Sequence, residues 1–298
     1  MPSGKLATYP KAERIRLPLN LRSLRRSVII VQYMQPAERD GFDEWTETPE
    51  LLIRAFGPGR VARQGRALTS SDWTYSKSRE MLFYLLCHAP RTKEQIGLAF
   101  WPDASTAQLH DYFRITLYHL RRALGSPNWV LYQDGLYVFN RSLPYWFDVE
   151  AFEFHLSVAQ VARGGDTAPR LLAADHLERA SGLVDGDFLE GNEAEWSVLL
   201  REELLRKYLQ ALIAWGDLLF EVCEYASAAE VYRRAIAKDG YQEAAHRGLM
   251  RSLARQGELG QALRHYRSLA ALLRAEFDAP PDPETVALQE RLRHGEPI

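Results

Sequence analysis

ASTAQLHDYFRITLYHLRRALG, residues 104–125, is the stretch whose reading decides the fold. At 100° per residue, Leu109, Phe113, Thr116, Leu117, Leu120 and Leu124 fall in one narrow arc, which predicts an amphipathic helix. Ser105 or Thr106 can cap its start, and Gly125 can close its end in a left-handed conformation. The remaining surface carries Gln108, His110, Asp111, Arg114, Tyr118, Arg121 and Arg122. An apolar back with such a front suits the major groove of DNA, where these side chains meet phosphates and base edges. Taken alone, the stretch reads first as an ordinary surface helix with basic last turns. Its neighbours reverse that order.

Upstream, LLIRAF (51–56) and RVARQ (60–64) read as strands around the turns at Gly57-Pro58-Gly59 and Gly65. Lys77 to Ala89 predicts a helix stopped by Pro90, and Thr92 to Trp101 a second one opened by a Thr-x-x-Gln capping box and stopped by Pro102. Trp101 reads as core. Downstream, Trp129–Tyr132 and Leu136–Asn140 flank Gln133-Asp134-Gly135, a hairpin signal. Strands, three helices and a hairpin, in that order, make a winged helix over 51–140. Its second and third helices form the helix-turn-helix, and the hairpin is the wing.

Beyond residue 147 the pattern is helical to the end, with expected spans 148–163, 168–183, 193–222, 225–239, 241–256, 259–277 and 283–293. Trp215, Leu219, Tyr225, Ala228 and Tyr232 recur 34 residues later as Leu249, Leu253, Leu259, Ala262 and Tyr266. That period marks tetratricopeptide helix pairs. Gly216 stands where the motif wants glycine; Cys223 departs from it, because Gly257 is the glycine at the equivalent position. Two repeats are too few for a free-standing stack, so the upstream helices must complete it. Such stacks present a concave face to partner peptides; the plainer reading is that they cap the first module. The fold class expected is therefore mainly α with a small β component, a winged helix-turn-helix followed by a tetratricopeptide-like bundle over 147–293.

Composition agrees. The chain has 298 residues and 46% hydrophobic content, ample for two modules. Residues 51–140 hold 11 Lys/Arg against 6 Asp/Glu, residues 141–298 hold 18 against 26, and residues 1–50 hold 8 against 7. A basic block beside an acidic one suggests a module facing nucleic acid and another facing something else. Residues 1–50, basic then acidic, read as an N-terminal extension, mostly disordered, with a short strand option at Val28–Tyr33 and a basic arm able to touch phosphate. Cys87 and Cys223 read as buried free thiols in a reducing compartment. No secretory signal or membrane-length apolar run is visible, so a cytoplasmic location without membrane contact is expected.

The ensemble resembles the SARP-type transcriptional regulators, an OmpR-type winged helix followed by a bacterial transcriptional activator domain. The carriers are Lys77-Ser78-Arg79 leading into Leu82, Leu85 and Leu86; Phe100-Trp101-Pro102-Asp103; Leu117 to Gly125; and Gly135-Leu136-Tyr137-Val138. Phe147-Asp148-Val149 with Phe152, Gly186-Asp187-Phe188-Leu189 and Pro281 to Thr285 follow. The resemblance covers about residues 51–293. It implies transcriptional activation through promoter DNA, commonly on direct repeats, with contact to RNA polymerase. The wing departs from the family habit, because its tip Gln133-Asp134-Gly135 carries no Lys or Arg.

Ten residues are candidate DNA contacts. Arg114 and Gln108 are the base-edge candidates, since Arg suits guanine and Gln suits adenine. Arg121 and Arg122 suit phosphate, with His110 and Tyr118 on the same helix. Lys77, Arg79 and Lys93 stand near helix N-termini, where backbone N–H groups also favour anions. Gln133 is the wing candidate. Asp111 would repel phosphate and reads as a cytosine acceptor or as lying off the groove. No phosphate loop, zinc spacing or nucleophile elbow occurs, so no catalytic residue, metal or cofactor is expected and the chain does not read as an enzyme. Double-stranded promoter DNA, RNA polymerase and a second protomer on DNA are the candidate partners. A different class stays open beside this: an interaction scaffold whose winged helix no longer reads DNA, suggested by the overall acidity, the bare wing and Asp111.

Overall fold

The computed structural model describes residues 49–162 and 167–298; the expectations for residues 1–48 and for the Gly164-Gly165 break lie outside them. The described residues open with β1 (Leu51–Arg54), β2 (Arg60–Arg63) and β3 (Arg66–Ala67). α1 (Ser76–Cys87), α2 (Lys93–Phe100) and α3 (Thr106–Leu124) follow, then β4 (Val130–Gln133) and β5 (Leu136–Phe139). β6 (Tyr145–Phe147) leads into α4 (Asp148–Ala162), α5 (Thr167–Gly182), α6 (Glu195–Glu221) and α7 (Tyr225–Lys238). α8 (Glu243–Arg255), α9 (Leu259–Phe277) and α10 (Pro283–His294) end the chain. This is a winged helix followed by a helical bundle, the fold class its sequence predicts.

β6 is an element the sequence reading does not contain. The sequence reading begins the helical part after Tyr145-Trp146-Phe147 and gives these three residues no element. They pair in parallel with β1, Leu51 against Tyr145 and Ile53 against Phe147, and complete a sheet of order β3-β2-β1-β6. Alternation explains its use, because Phe147 and Ile53 both point into the core while Trp146 and Leu52 are half-buried. Three residues flanked by Pro144 and a helix are too short for periodicity to reveal a strand.

Asp148 ties the sheet to the first bundle helix. Its carboxylate is 1% exposed. It accepts the N–H of Ala55 on both oxygens at 2.9 and 2.8 Å, of Phe56 at 2.9 Å and of Val149 at 2.9 Å. Burial pushes this carboxyl up to about 6, against the three backbone donors that pull it down. A second seam runs alongside it. Leu189 N donates to Ala55 O, Gly57 N to Asp187 O and Glu190 N to Gly57 O, each at 2.8 Å. Arg201 of α6 holds that loop in place through the carbonyls of Phe188, Leu189 and Asn192. Trp196 then inserts its ring between Tyr84, Phe100 and Phe188, so one buried cluster runs from the sheet into the bundle. The described residues accordingly form one compact unit.

In the bundle, Tyr232 is fully buried and lies between two glycines. A Cβ on Gly216 would stand 2.7 Å from its ring and one on Gly248 2.3 Å, so the helices can approach only because both side chains are hydrogen. Tyr232 donates its hydroxyl to Asp217 at 2.7 Å, which satisfies its polar end. Ala228 and Ala262 are both completely buried at the helix contacts of the repeat.

The thiol expectation needs correction. Both cysteines are free, but Cys223 is exposed and Cys87 only half-buried. Cys223 lies just past α6, in a left-handed conformation with φ 65°, where its repeat counterpart Gly257 has φ 83°. Both turns close alike, Glu224 N on Leu219 O and Glu258 N on Leu253 O. A left-handed L-residue costs about 1–2 kcal/mol, and glycine returns part of that through a more flexible unfolded chain. Cys223→Gly is therefore expected to stabilise the protein by about 0.5–1 kcal/mol. In urea the midpoint should rise at unchanged slope; a fall would mean that the thiol makes a contact worth more than the strain.

The structure also assembles histidines that the sequence leaves scattered. His155 and His176 share an Nδ1 to Nδ1 hydrogen bond at 2.9 Å, and His246 Nδ1 meets His265 Nε2 at 2.8 Å. His246 Nε2 donates to Gly240 O at 3.0 Å, so its Nδ1 is the acceptor in the second pair. Burial holds all four rings below the usual histidine range. Among the described residues, no group of three or more His, Cys, Asp or Glu could hold a metal ion.

Candidate nucleic-acid interface

Two capping boxes set the helix-turn-helix. Thr92 Oγ1 accepts the N–H of Gln95, whose side chain takes the N–H of Thr92. Ser105 and Gln108 repeat the arrangement at the start of α3. Gly97 makes the crossing of the two helices tight, since a Cβ there would lie 2.2 Å from Leu109. Phe113, Leu117, Leu120 and Leu124 are buried along the back of α3. Burial of such side chains is worth roughly 1.5–3 kcal/mol each, enough to fix which face looks outward. Gly125, at φ 81°, ends the helix in the left-handed conformation expected of it.

The wing is a two-residue hairpin with Gln133 opposite Leu136, turning at Asp134 (φ 51°) and Gly135 (φ 81°). Positive φ at both central residues is the type I′ geometry that Asp-Gly favours. Its inner strand is anchored twice. Tyr137 exchanges backbone hydrogen bonds with Arg91, two residues before α2, and its ring packs on Phe113 with centroids 4.6 Å apart. Arg121 reaches from α3 and donates to Val130 O at 2.7 Å.

Between α3 and the wing lies an open groove of about 750 Å³. Lys93, His110, Arg114, Tyr118, Arg121 and Arg122 line it, so six of the ten candidate residues meet in one place. Arg114 is 72% exposed and Tyr118 61%, and Arg122 is exposed as well. None of the three is covered by the bundle. The closest acid is Asp111, whose Oδ1 lies 3.8 Å from Arg114 Nη2 in an open i,i+3 pair worth little in water.

The other candidates are placed differently. Gln108 is exposed, but its Oε1 accepts from both the N–H and the hydroxyl of Ser105, so a two-point contact with adenine has to break the cap. Arg121 is half-buried and committed to the base of the wing. Gln133 stands exposed at the wing end. Lys77 and Arg79 do not join the groove. They line a separate cleft of about 590 Å³ against residues 189–194, with the Lys77 ammonium 3.4 Å from Glu80 and over the Phe100 ring. The start of α1 is turned toward the bundle, a consequence of the loop seam that no local pattern contains. Trp101 is half-buried and packs on the core cluster.

Ile115 of α3 is exposed and has no place in the apolar arc or in the groove. Asp111, Ile115, Tyr118 and Arg122, spaced i, i+4, i+7 and i+11, form the crest opposite the buried stripe, and all four are exposed. Ile115 is 43% exposed there.

Residues 147–293 match the family model described as bacterial transcriptional activator domain. That stretch of the chain belongs to this family. The match begins at Phe147, the last residue of β6, immediately before Asp148. A solved structure of Mycobacterium tuberculosis EmbR in complex with a low-affinity phosphopeptide is similar at TM-score 0.72 and 18% identity. The similarity covers 84% of this chain and 67% of that one, and at this identity it speaks for the fold. No curated protein matches the sequence. A winged helix preceding an activator domain is the SARP-like arrangement that the sequence resembles, and it sets transcription regulation as the class of function. No described helix is long and apolar enough to cross a membrane.

Proposed function

We propose that this chain is a sequence-specific transcriptional regulator, an activator that binds double-stranded promoter DNA through α3. In this reading the winged helix over 51–140 meets DNA, and the activator domain over 147–293 contacts RNA polymerase or a second protomer in the cytoplasm. The supporting observation is the outward face of α3. It carries Arg114, Tyr118 and Arg122 into solvent while its back is locked in the core. Arg114 is the base reader, with guanine as the matching edge, and Arg122 and Lys93 hold phosphate. Arg121 keeps the wing in place.

Selection of bound duplexes from a random pool tests the reading and returns the operator, with half-site spacing reporting stoichiometry. A salt titration on the selected duplex follows. Affinity should fall linearly with log salt and differ between selected and random DNA. Arg122→Ala should weaken all duplexes alike and reduce the salt slope by about 1. The competing reading, a scaffold that no longer reads DNA, draws on Asp134 at the wing tip and Asp111 on the crest. It predicts no binding near physiological salt.

A further inference from the structure

We propose that Ile115 is a base-reading side chain that packs on the 5-methyl group of thymine in the major groove. This rests on the DNA-binding role proposed above. α3 spends its apolar residues on its back, where Phe113, Leu117, Leu120 and Leu124 are buried. Ile115 lies outside that arc, outside the core cluster and outside the groove beside the wing. Single exposed apolar side chains are ordinary on protein surfaces. The setting of this one is not, because it interrupts a crest made otherwise of Asp111, Tyr118 and Arg122 and lies next to Arg114, whose side chain is 72% exposed.

The chemistry of the major groove supplies the partner. Every base edge there offers hydrogen-bond donors or acceptors, and the C5-methyl of thymine is its one apolar feature. A β-branched side chain in a helix is held to one χ1 rotamer, so Ile115 presents its methyl groups with little ordering left to lose on contact. The flanking Arg114 and Arg122 and the net positive charge of residues 51–140, 11 Lys/Arg against 6 Asp/Glu, favour a polyanion as the surface that covers it.

Uracil, which lacks the methyl group and keeps the hydrogen-bonding edge, gives a direct test. In the duplex returned by selection, each thymine is replaced in turn by uracil. Wild-type protein should bind about 4-fold more weakly at one position or two adjacent ones, the loss expected for one buried methyl-sized group. Ile115→Ala should bind thymine and uracil duplexes equally at that position. Ile115→Val, which keeps the branched Cβ, should retain most of the difference. Ile115 is exposed, so a melting temperature unchanged in both variants is expected and separates contact from folding. Equal discrimination by wild type and Ile115→Ala overturns the assignment, as does indifference to uracil at every position. Failure to recover any bound duplex overturns the DNA-binding function itself, an outcome distinct from these two.

Discussion

Asp148→Ala is expected to lower the unfolding free energy by about 3–5 kcal/mol, the largest single-residue effect on stability predicted for this protein. The substitution strands three backbone N–H groups, those of Ala55, Phe56 and Val149, in a site 1% exposed. Each unsatisfied buried donor costs about 1–3 kcal/mol, and relaxation or an entering water offsets part of the sum. Asp148→Asn should fall between, because one amide oxygen can serve some of these donors while the NH2 group opposes the rest. Urea unfolding followed by far-UV circular dichroism measures the loss; below about 1 kcal/mol, the carboxylate would not be the tie described here. The location gives the effect its meaning. Asp148 is the first residue of α4, and two of its donors, Ala55 and Phe56, directly follow β1, so the same carboxylate starts the bundle and caps the end of an inner strand.

For DNA, Arg114→Ala should weaken binding to the selected duplex by about 1–3 kcal/mol, roughly 5- to 150-fold, and flatten the preference at one base pair. The Arg114 side chain is 72% exposed and, among the described residues, its ion pair is with Asp111 at 3.8 Å, so little has to be broken before it reaches a base edge. Arg114→Lys preserves the charge and loses the planar fork, and should recover salt-dependent affinity without recovering the base preference. Competition gel shifts with duplexes varied at that position read out both. Unchanged affinity of Arg114→Ala on the selected duplex would remove Arg114 from the reading set. Together with the Arg122 result, the pair separates a base contact from a phosphate contact, since only the latter weakens every sequence alike.

Local pattern reaches far in this chain. The arc of Leu109, Phe113, Leu117, Leu120 and Leu124 is a property of spacing, and so are the capping boxes at Thr92 and Ser105 and the Asp-Gly turn of the wing. Each involves residues within a turn or two of one another, so no tertiary information is needed to read them. The bundle helices are legible for the same reason: the 34-residue repeat places Ala228 and Ala262 at contacts where both are fully buried. Where a candidate residue is not free to read DNA, a partner holds it. Arg121 lines the groove but is claimed by Val130 O, Gln108 is held by the Ser105 cap, and Lys77, outside the groove, by Glu80 and Phe100.

What the chain settled alone was the kind of most elements, β6 excepted, and the side of α3 that faces water, because periodicity and capping are local free energies. Only the tertiary structure decided that β6 joins β1, that Asp148 and the 187–190 loop weld the winged helix to the activator domain, and that histidines 21 and 19 residues apart become hydrogen-bonded pairs. Those contacts join residues distant in sequence, and their stability depends on burial that no single segment possesses before the others have folded around it.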